Sequence, residues 1–269
     1  MSEAKVEENV LVATVGGRDL KADVYSPANP PRPVIGILML PGGGWRNCDR
    51  SPLGERYGLA LARDGFVCVA GEYRVMDEAP WPTQIQDVKA NIRWMRANSA
   101  KLGIDQSLIV VAGKSAGGHL ALLAAGTPNV EEFEGGGGNP GVSSEVAAVI
   151  GSSPVCDISG LAATPELEPM FGANPSAEVI AGANPMSYIN GSYPPALIFH
   201  GTSDTRVDHG TTMAFTRGLE EKGVPFDLHL YAGQDHFFDR VPPFCEVVTD
   251  AIGLFISRYV PFREPAVIT

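Results

Sequence analysis

The sequence of 269 residues predicts an α/β protein: a mostly parallel central sheet with helices on both faces, preceded by an antiparallel hairpin. Three observations support this fold class. Apolar runs of strand length alternate with amphipathic helical segments, which is typical of parallel strands joined by helical crossovers. The clearest run, residues 34–40 (VIGILML), is apolar throughout, as strands buried on both faces are. The pair Gly16-Gly17 separates the first two strand-like segments and suits a tight hairpin.

The elements of the first half follow one another in a regular order. Two hairpin strands precede the strand at 34–40, and a helix and a strand come after it. A long amphipathic helix follows, in which Ile85, Val88 and Ile92 recur at helical spacing. The predicted ranges are strands at 5–15, 19–25, 34–40 and 66–74, and helices at 52–64 and 83–103.

The second half continues the alternation. Its predicted strands are 107–113, 145–154, 195–201 and 226–233, and its predicted helices are 116–126, 209–222 and 243–260. Residues 127–145 are rich in glycine and predict a mobile surface loop. Residues 157–192 predict irregular structure with one or two short helices. We expect a single domain, residues 1–269, with a lid or insertion region within residues 127–192.

Composition and charge exclude several classes of protein. Apolar residues make up 44% of the chain, which is enough for a buried core and excludes a disordered chain. The chain has 20 basic and 31 acidic residues, so its formal charge is −11. Such a surface repels phosphate backbones and anionic lipid heads. We therefore expect neither nucleic acid nor a membrane as a partner.

The sequence also suggests a compartment. Its first residues, MSEAKVEENV, lack the basic and apolar segments of a secretory signal, and no apolar stretch is long enough to cross a membrane. The four cysteines have neither C-x-x-C nor zinc-ligand spacing. We expect a cytoplasmic protein with four reduced thiols and no metal site.

Residues 113–118 (GKSAGG) place Ser115 between an apolar strand and a helix of small residues. This is the G-x-S-x-G arrangement, in which the two glycines permit a turn tight enough to expose the serine hydroxyl at the end of the sheet. Gly-Lys-Ser also ends phosphate-binding loops, but that motif requires glycine at position 108, where this chain has leucine. Ser115 is therefore the candidate nucleophile.

A second glycine-rich loop, Gly42-Gly43-Gly44, follows Pro41 directly after the strand at 34–40. Glycines allow backbone N–H groups to approach a substrate oxygen closely. Such donors stabilise the oxyanion of a tetrahedral intermediate. The N–H of Ala116, the residue after the nucleophile, is the other expected donor. Which two of the three glycines donate stays open.

A serine needs a base, and the chain has five histidines. His236 follows the strand at 226–233, in a late loop from which a base can reach back over the sheet to Ser115. It is the candidate base. His119, one helical turn after the serine, is interpreted as structural or at the edge of the pocket, and His200 as support for a turn. His209 is expected at the start of a helix and His229 within a strand.

The base needs a carboxylate that orients its ring. Asp204 lies in the loop after the strand at 195–201 and is the candidate acid. Asp208 is the nearest competitor. Asp235 adjoins the histidine in sequence, but its side chain is expected to diverge from the ring. The candidate triad runs in the chain order serine, aspartate, histidine, which belongs to one architecture among those that use this triad.

Together these motifs resemble those of the α/β-hydrolase superfamily across nearly the whole chain. More narrowly, they resemble the small serine esterases of the hormone-sensitive-lipase-like and acetyl/feruloyl-esterase-like groups. The segment PGGGW is similar to the HGGG-type oxyanion motif, and HGTSD and GQDHFF match the acid and base loops. GEYR followed by PWPTQIQDVKANIRWMR resembles a further stretch of the family. There the resemblance implies structural roles for Tyr73, Arg74, Asp87 and Trp94.

The chain departs from the family pattern at two motif positions. Pro41 replaces the usual histidine of the oxyanion motif. Lys114 stands where the family usually has an acidic residue, an aromatic residue or another residue without charge. We interpret it as a solvated lysine. The alternative is a contact with an anionic substrate group. Only 33 residues precede the first central strand. We therefore expect no long N-terminal cap, and any lid would come from residues 127–192.

The motifs and the resemblance predict a serine carboxylesterase that hydrolyses short-chain acyl esters through an acyl-enzyme on Ser115. No metal or organic cofactor is implied, and the partner is a small-molecule ester. Two alternatives use the same catalytic residues on other substrates: an arylformamidase-like amide hydrolase, and an acetyl esterase acting on acetylated carbohydrate. A receptor without catalysis is an alternative from another class. A homodimer through an edge strand or the last helix is left open by analogy with such folds.

Overall fold

The computed structural model describes residues 3–28, 34–128 and 130–260. Eight strands form one sheet. The strands are β1 Ala4–Val15, β2 Arg18–Pro27, β3 Val34–Leu40, β4 Val67–Gly71, β5 Ile104–Lys114, β6 Ala148–Ser152, β7 Ala196–Gly201 and β8 Phe226–Tyr231. Their order across the sheet is β1-β2-β4-β3-β5-β6-β7-β8.

The directions of the strands confirm the predicted fold class. β1 pairs with β2, and β2 with β4, in antiparallel register, while every later pair is parallel. Because β3 to β8 run in one direction, their carboxyl ends meet at one edge of the sheet, where ligands bind in open α/β sheets. The loops after Leu40, Lys114, Gly201 and Tyr231 therefore come together there.

Helices follow most strands. The α-helices are α1 Ser51–Leu53, α2 Leu59–Arg63, α3 Thr83–Ala97, α4 Ser99–Leu102, α5 Ala116–Gly126, α6 Glu131–Glu134, α7 Glu168–Phe171, α8 Ala177–Gly182, α9 His209–Glu221 and α10 Phe244–Tyr259. A π-helical turn covers Gly54–Gly58, and 3₁₀ turns cover Pro165–Leu167, Pro185–Tyr188 and Phe238–Arg240. Among the helices of the described ranges, none combines the length and apolar character needed to cross a membrane.

The core consists of two apolar layers, one on each face of the sheet. Successive residues of β3 alternate between them: Leu38 and Leu40 contact the layer under α3, α5 and α9, while Ile37 and Met39 contact the layer under α2 and α10. This alternation follows from the two-residue period of a strand. A strand with a layer on each face is apolar at every position, which explains the unbroken run VIGILML.

The helix predicted at 52–64 is instead three successive turns of different pitch, α1, the π turn and α2. Its glycines allow it to lie directly on the ring of Tyr25. A Cβ atom at Gly54 would lie 1.8 Å from the hydroxyl oxygen of that ring, and one at Gly58 would lie 2.9 Å from ring carbons. The π turn therefore has no room for a side chain at either position.

The glycine-rich segment after α5 is anchored, which corrects the expectation of a mobile loop. The Glu134 carboxylate accepts from the buried ammonium of Lys89 and the buried guanidinium of Arg93, each at 2.7 Å. Arg93 also donates to the carbonyls of Gly137 and Gly138. Two buried cations on α3 thus share one counter-ion supplied by this segment, and buried charges require such pairing.

Residues 157–192 contain four short helical segments rather than one or two. They are Pro165–Leu167, Glu168–Phe171, Ala177–Gly182 and Pro185–Tyr188. The other predicted elements agree in type with the structure, and β3 and α5 have the bounds that the sequence predicts.

Candidate active site

Ser115 stands in a strained turn between β5 and α5. Its backbone has φ 53° and ψ −118°, a conformation that L-residues rarely adopt and that only a tightly determined environment maintains. The flanking glycines explain how the turn fits. A Cβ atom at Gly113 would lie 2.2 Å from the carbonyl oxygen of Gly117, and one at Gly117 would lie 2.4 Å from the carbonyl oxygens of Leu40 and Pro41. The turn therefore packs backbone against backbone.

The loop after β3 lies directly beside this turn. A Cβ atom at Gly42 would be 3.1 Å from Cβ of Ser115. The carbonyl of Gly43 accepts hydrogen bonds from the N–H groups of Arg46 and Asn47, each at 3.1 Å, which closes the loop into a turn. Gly43 has φ 145° and Gly44 has φ 60°, values that favour glycine. The three glycines thus bring backbone close to the candidate nucleophile.

A buried hydroxyl fixes the position of the glycine loop. Tyr73 donates its O–H to the carbonyl of Pro41 at 2.9 Å. The carbonyl of Trp45 at the other end of the loop accepts from the N–H of Met76 at 2.8 Å. Tyr73, to which the family resemblance assigned a structural role, therefore helps to hold the loop in which Pro41 replaces the usual histidine.

The candidate base and acid contact each other. Nδ1 of His236 lies 2.6 Å from Oδ2 of Asp204. The other carboxylate oxygen, Oδ1, accepts from the N–H groups of Arg206 and Val207 at 2.8 and 2.9 Å. Because the carboxylate can only accept, Nδ1 carries the proton and Nε2 is left with a free lone pair. This is the tautomer that a general base requires.

Burial and hydrogen bonds set the charges of this pair. Burial raises the pKa of Asp204, but the hydrogen bonds from Val207, His236 and Arg206 outweigh it and leave that pKa below its ordinary value. Burial lowers the pKa of His236, the hydrogen bond that its ring donates to Asp204 opposes this effect, and the ammonium of Lys114 adds to the lowering. At neutral pH the carboxylate is therefore ionised and the imidazole is neutral.

His200 is a third partner of Asp204. Its Nε2 lies 3.1 Å both from Oδ2 of Asp204 and from the carbonyl of Val207, and its Nδ1 lies 2.8 Å from the hydroxyl of Thr212. Two acceptors at Nε2 place the proton on that nitrogen. The role expected for His200, support of the turn, is confirmed. Its contact with the carboxylate has no signal in the sequence.

The other aspartates and histidines that were considered for the triad make different contacts. Asp208 caps α9 by accepting from the N–H of Gly210 at 2.9 Å, and Asp235 accepts from the N–H of Phe237 at 2.8 Å. His119 is buried, with its Nε2 2.8 Å from the carbonyl of Ala183, and burial lowers its pKa to about 4. The two remaining histidines occupy the predicted places, His209 at the start of α9 and His229 within β8.

Lys114 is not a solvated lysine, and the structure corrects that expectation. Its ammonium is buried and donates to the carbonyl of His236 at 2.6 Å and to Oδ1 of Asp239 at 2.9 Å. The second oxygen of Asp239 accepts from the hydroxyl of Ser152 at 2.9 Å, and the carbonyl of Asp239 accepts from the hydroxyl of Tyr57 at 2.8 Å. Lys114 therefore joins the nucleophile turn to the loop of the candidate base.

One cavity of about 470 Å³ brings these parts together. Ser115, His236 and the three glycines of residues 42–44 line it, while Asp204 lies behind His236 with a fully buried side chain. Ala116 is the first residue of α5, so its N–H has no acceptor within the helix. From residues 127–192, Val155 and Leu161 line the cavity. The lid stays a prediction.

Further residues at the site were not identified from the sequence. Asp239 and Tyr57 line the cavity, as do Arg56, Arg206 and Arg240. Their contacts depend on the meeting of distant loops, which no local pattern encodes. In the ranges that the structure describes, no group of three histidine, cysteine, aspartate or glutamate side chains has the arrangement of a metal site.

Comparison with known proteins places this geometry in a family. The BD-FAE family model matches residues 22–219, which include Ser115 and Asp204. The chain belongs to the BD-FAE family. Among curated relatives, esterase LipQ of Mycobacterium tuberculosis is 27% identical over 93% of this chain and 62% of its own length. A relative named "probable carboxylic ester hydrolase LipM", from the same organism, is 32% identical over 72% of this chain and 49% of its own length. The chain thus spans less than two thirds of these relatives.

Solved structures of similar length to this BD-FAE chain are also esterases. A truncated carbohydrate esterase from gut microbiota has a TM-score of 0.85 and 26% identity, covering 95% of this chain and 98% of that one. A thermophilic esterase from the Planctomycetes species Thermogutta terrifontis, with propionate bound, has a TM-score of 0.82 and 27% identity, covering 98% and 96%. The predicted α/β-hydrolase fold is confirmed, and the predicted enzyme class, carboxylic ester hydrolase, agrees with these relatives.

Proposed function

We propose that the protein is a serine carboxylesterase that forms an acyl-enzyme on Ser115. The observation that carries this proposal is the 2.6 Å contact between Nδ1 of His236 and Asp204, in a loop that lines the same cavity as Ser115. This contact orients the imidazole with Nε2 free, and burial lowers its pKa, so that the neutral ring is ready to accept a proton. The esterase relatives support ester hydrolysis as the reaction.

The reaction follows from these positions. Ser115 attacks the ester carbonyl while Nε2 of His236 takes the hydroxyl proton, and Asp204 stabilises the imidazolium that forms. The oxyanion accepts hydrogen bonds from the N–H of Ala116 and from the loop Gly42-Gly43-Gly44. The alcohol leaves with the proton from His236. Water, activated by the same imidazole, then attacks the acyl-enzyme and regenerates the serine.

We infer that the acyl group is short. The cavity of about 470 Å³ must hold both halves of the ester, and the bulky side chains of Trp45, Leu53 and Val155 take part in its lining. Structures of the Thermogutta terrifontis esterase hold propionate and butyrate. Acyl groups of two to four carbons are therefore the expected substrates.

The first test combines turnover and active-site labelling. We expect the wild type to hydrolyse 4-nitrophenyl acetate to butyrate faster than the dodecanoate, and Ser115→Ala to lose at least about a thousandfold in kcat. A fluorophosphonate probe should add one mass increment on the peptide that holds Ser115. Ser203→Ala, an exposed serine in the acid loop, is the matched control and should keep both signals. Labelling of another residue, or activity that survives in Ser115→Ala, would refute the assignment of Ser115 as the nucleophile.

A carbohydrate ester is the second candidate substrate. Two structural relatives support it: the gut carbohydrate esterase, and the bifunctional GH43-CE protein of Bacteroides eggerthii, which has a TM-score of 0.82 and 27% identity. Acetate release from acetylated xylo-oligosaccharides, compared with release from ethyl acetate, distinguishes a sugar-specific enzyme from a general one. A preference of less than tenfold for the sugar would favour the general carboxylesterase.

A homodimer also stays a prediction. β1 and β8 are the two outer strands of the sheet, and Leu254 on α10 is exposed over 61% of its surface. Light scattering across a range of concentrations tests it: a constant mass near 28.5 kDa would exclude the dimer.

A further inference from the structure

Three guanidinium groups, those of Arg56, Arg206 and Arg240, line the candidate active-site cavity. Two of them contact the same aromatic ring. The guanidinium carbons of Arg206 and Arg240 lie 4.9 and 4.0 Å from the ring centroid of Phe237. That ring in turn meets the imidazole of His236 edge to face, with 5.0 Å between centroids. The two cations and the candidate base therefore contact one and the same phenyl ring.

These cations have no counter-ion in the described part of the chain. Neither Arg56, Arg206 nor Arg240 forms a salt bridge there. Most of the chain's other arginines behave differently. Carboxylates pair with the guanidiniums of Arg18, Arg46, Arg50, Arg74, Arg93 and Arg258. In a chain with 31 acidic and 20 basic residues, unpaired arginines gathered in one cavity require an explanation.

The other charged side chains of the cavity do not neutralise these arginines. Lys114 and Asp239 neutralise each other in a buried salt bridge. The remaining carboxylate on the lining, Asp49, accepts the N–H of Ser51 and makes no ion pair with these arginines. The cavity therefore carries an excess of positive charge on a protein whose formal charge is −11. An anion inside it is attracted more strongly than it would be in bulk water, because part of the surroundings is protein.

We propose that Arg206 and Arg240 bind a carboxylate carried by the substrate, so that the preferred esters are anionic. This inference rests on the proposed esterase function and specifies its substrate class. A cation–π contact consumes none of the N–H donors of a guanidinium, so both side chains keep donors for a bidentate carboxylate contact. Contact with Phe237 restrains both guanidiniums, which reduces the loss of side-chain freedom on binding.

The carboxylate can belong to either half of the ester, and paired substrates separate the two cases. 4-Acetoxybenzoate and its methyl ester differ only in charge on the alcohol side. 4-Nitrophenyl hydrogen adipate and its methyl ester differ only in charge on the acyl side. We expect the wild type, at low ionic strength, to prefer the anionic member of one pair by about tenfold in kcat/KM, and sodium chloride at 0.5 M to reduce this preference because it screens exposed charges.

The variant Arg206→Gln/Arg240→Gln should reduce the ratio of kcat/KM between anionic and neutral member by about tenfold. Arg217→Gln on α9 makes the same charge change at an exposed position outside the cavity lining and should keep the wild-type ratio. A wild-type ratio of one or less in both pairs would overturn the anion site even if the double variant fails to fold. A high ratio that the double variant retains would show that these two arginines do not bind the carboxylate. If the wild type hydrolyses none of the four esters, the proposed esterase function fails instead.

Discussion

The ammonium of Lys114 donates a hydrogen bond to the carbonyl oxygen of His236 at 2.6 Å, so the residue before the candidate nucleophile supports the backbone of the candidate base. The same ammonium forms a salt bridge with Asp239, and both side chains are buried. Catalysis by a serine and a histidine depends on their relative position within about 0.5 Å. A direct tie between the two loops is a means of keeping it.

Removal of this ammonium should be costly. Lys114→Met leaves the Asp239 carboxylate buried without its cation, and breaking a buried ion pair costs about 3–5 kcal/mol of unfolding free energy. Lys114→Met/Asp239→Asn removes both charges and should regain a large part of that loss. Urea denaturation of the two variants and the wild type measures the difference. Equal stability of Lys114→Met and wild type would contradict the role of the pair.

The pH dependence of activity should report the environment of His236. Burial lowers the pKa of this imidazole and Lys114 lowers it further, against the opposing effect of Asp204. Since the base must be neutral, kcat/KM should fall on the acid side with an apparent pKa below about 6.5, the ordinary value of histidine. Loss of the Lys114 charge favours the imidazolium, so the apparent pKa should rise in Lys114→Met. An unchanged acid limb in that variant would rule out this coupling.

The two aspartates of the acid loop should have different roles. Asp204→Asn removes the charge that stabilises the imidazolium and favours the wrong tautomer, so kcat should fall by about 10³–10⁴. Asp208→Asn is the matched control: it alters a helix cap, where Asn and Asp are nearly equivalent, and should leave kcat and stability almost unchanged. Steady-state kinetics and thermal denaturation of both variants test the assignment. A large kcat loss in Asp208→Asn would transfer the role to that residue.

The glycines of the oxyanion loop should tolerate alanine unequally. A Cβ atom at Gly43 would lie 2.2 Å from the carbonyl oxygen of Asn47, whereas one at Gly44 meets nothing within 4 Å. Gly44→Ala pays chiefly for its positive φ, about 1–2 kcal/mol. Gly43→Ala must also displace the backbone, so it should lose more stability and more kcat. The unfolding free energies and kcat of the two variants decide the order.

Local patterns in the sequence predicted most of the fold. The strand at 34–40 and the helix at 116–126 have the predicted bounds because an unbroken apolar run and a run of small residues after a tight turn are both local signals. Ser115, Asp204 and His236 were selected for the same reason, since each follows a strand that ends at one edge of the sheet. The structure brings His236 and Asp204 into contact, and Ser115 lines the same cavity as His236.

What the sequence did not predict depends on contacts between distant residues. Lys114 and Asp239 are 125 positions apart, and a lysine is solvated in most proteins, so its burial had no local signal. Glu134 likewise anchors a glycine-rich segment that composition alone predicts to be mobile. The cations Arg206 and Arg240 lie 34 positions apart in the sequence, and only the fold places both against Phe237.

The approach of Gly117 to the carbonyls of Leu40 and Pro41 has a consequence for how this scaffold can diversify. Beside the cavity, the backbone of the nucleophile turn packs directly against the backbone of the glycine loop, which leaves no room for a side chain at Gly117. The walls of the cavity include side chains, among them Leu53, Leu161 and Arg240. Substitutions in the walls can therefore change which molecule enters while the distances between the reacting groups stay fixed. Substrate selectivity therefore depends on the side chains of the cavity wall, while the reaction depends on the packed backbone turns. The first can be engineered without redesign of the second.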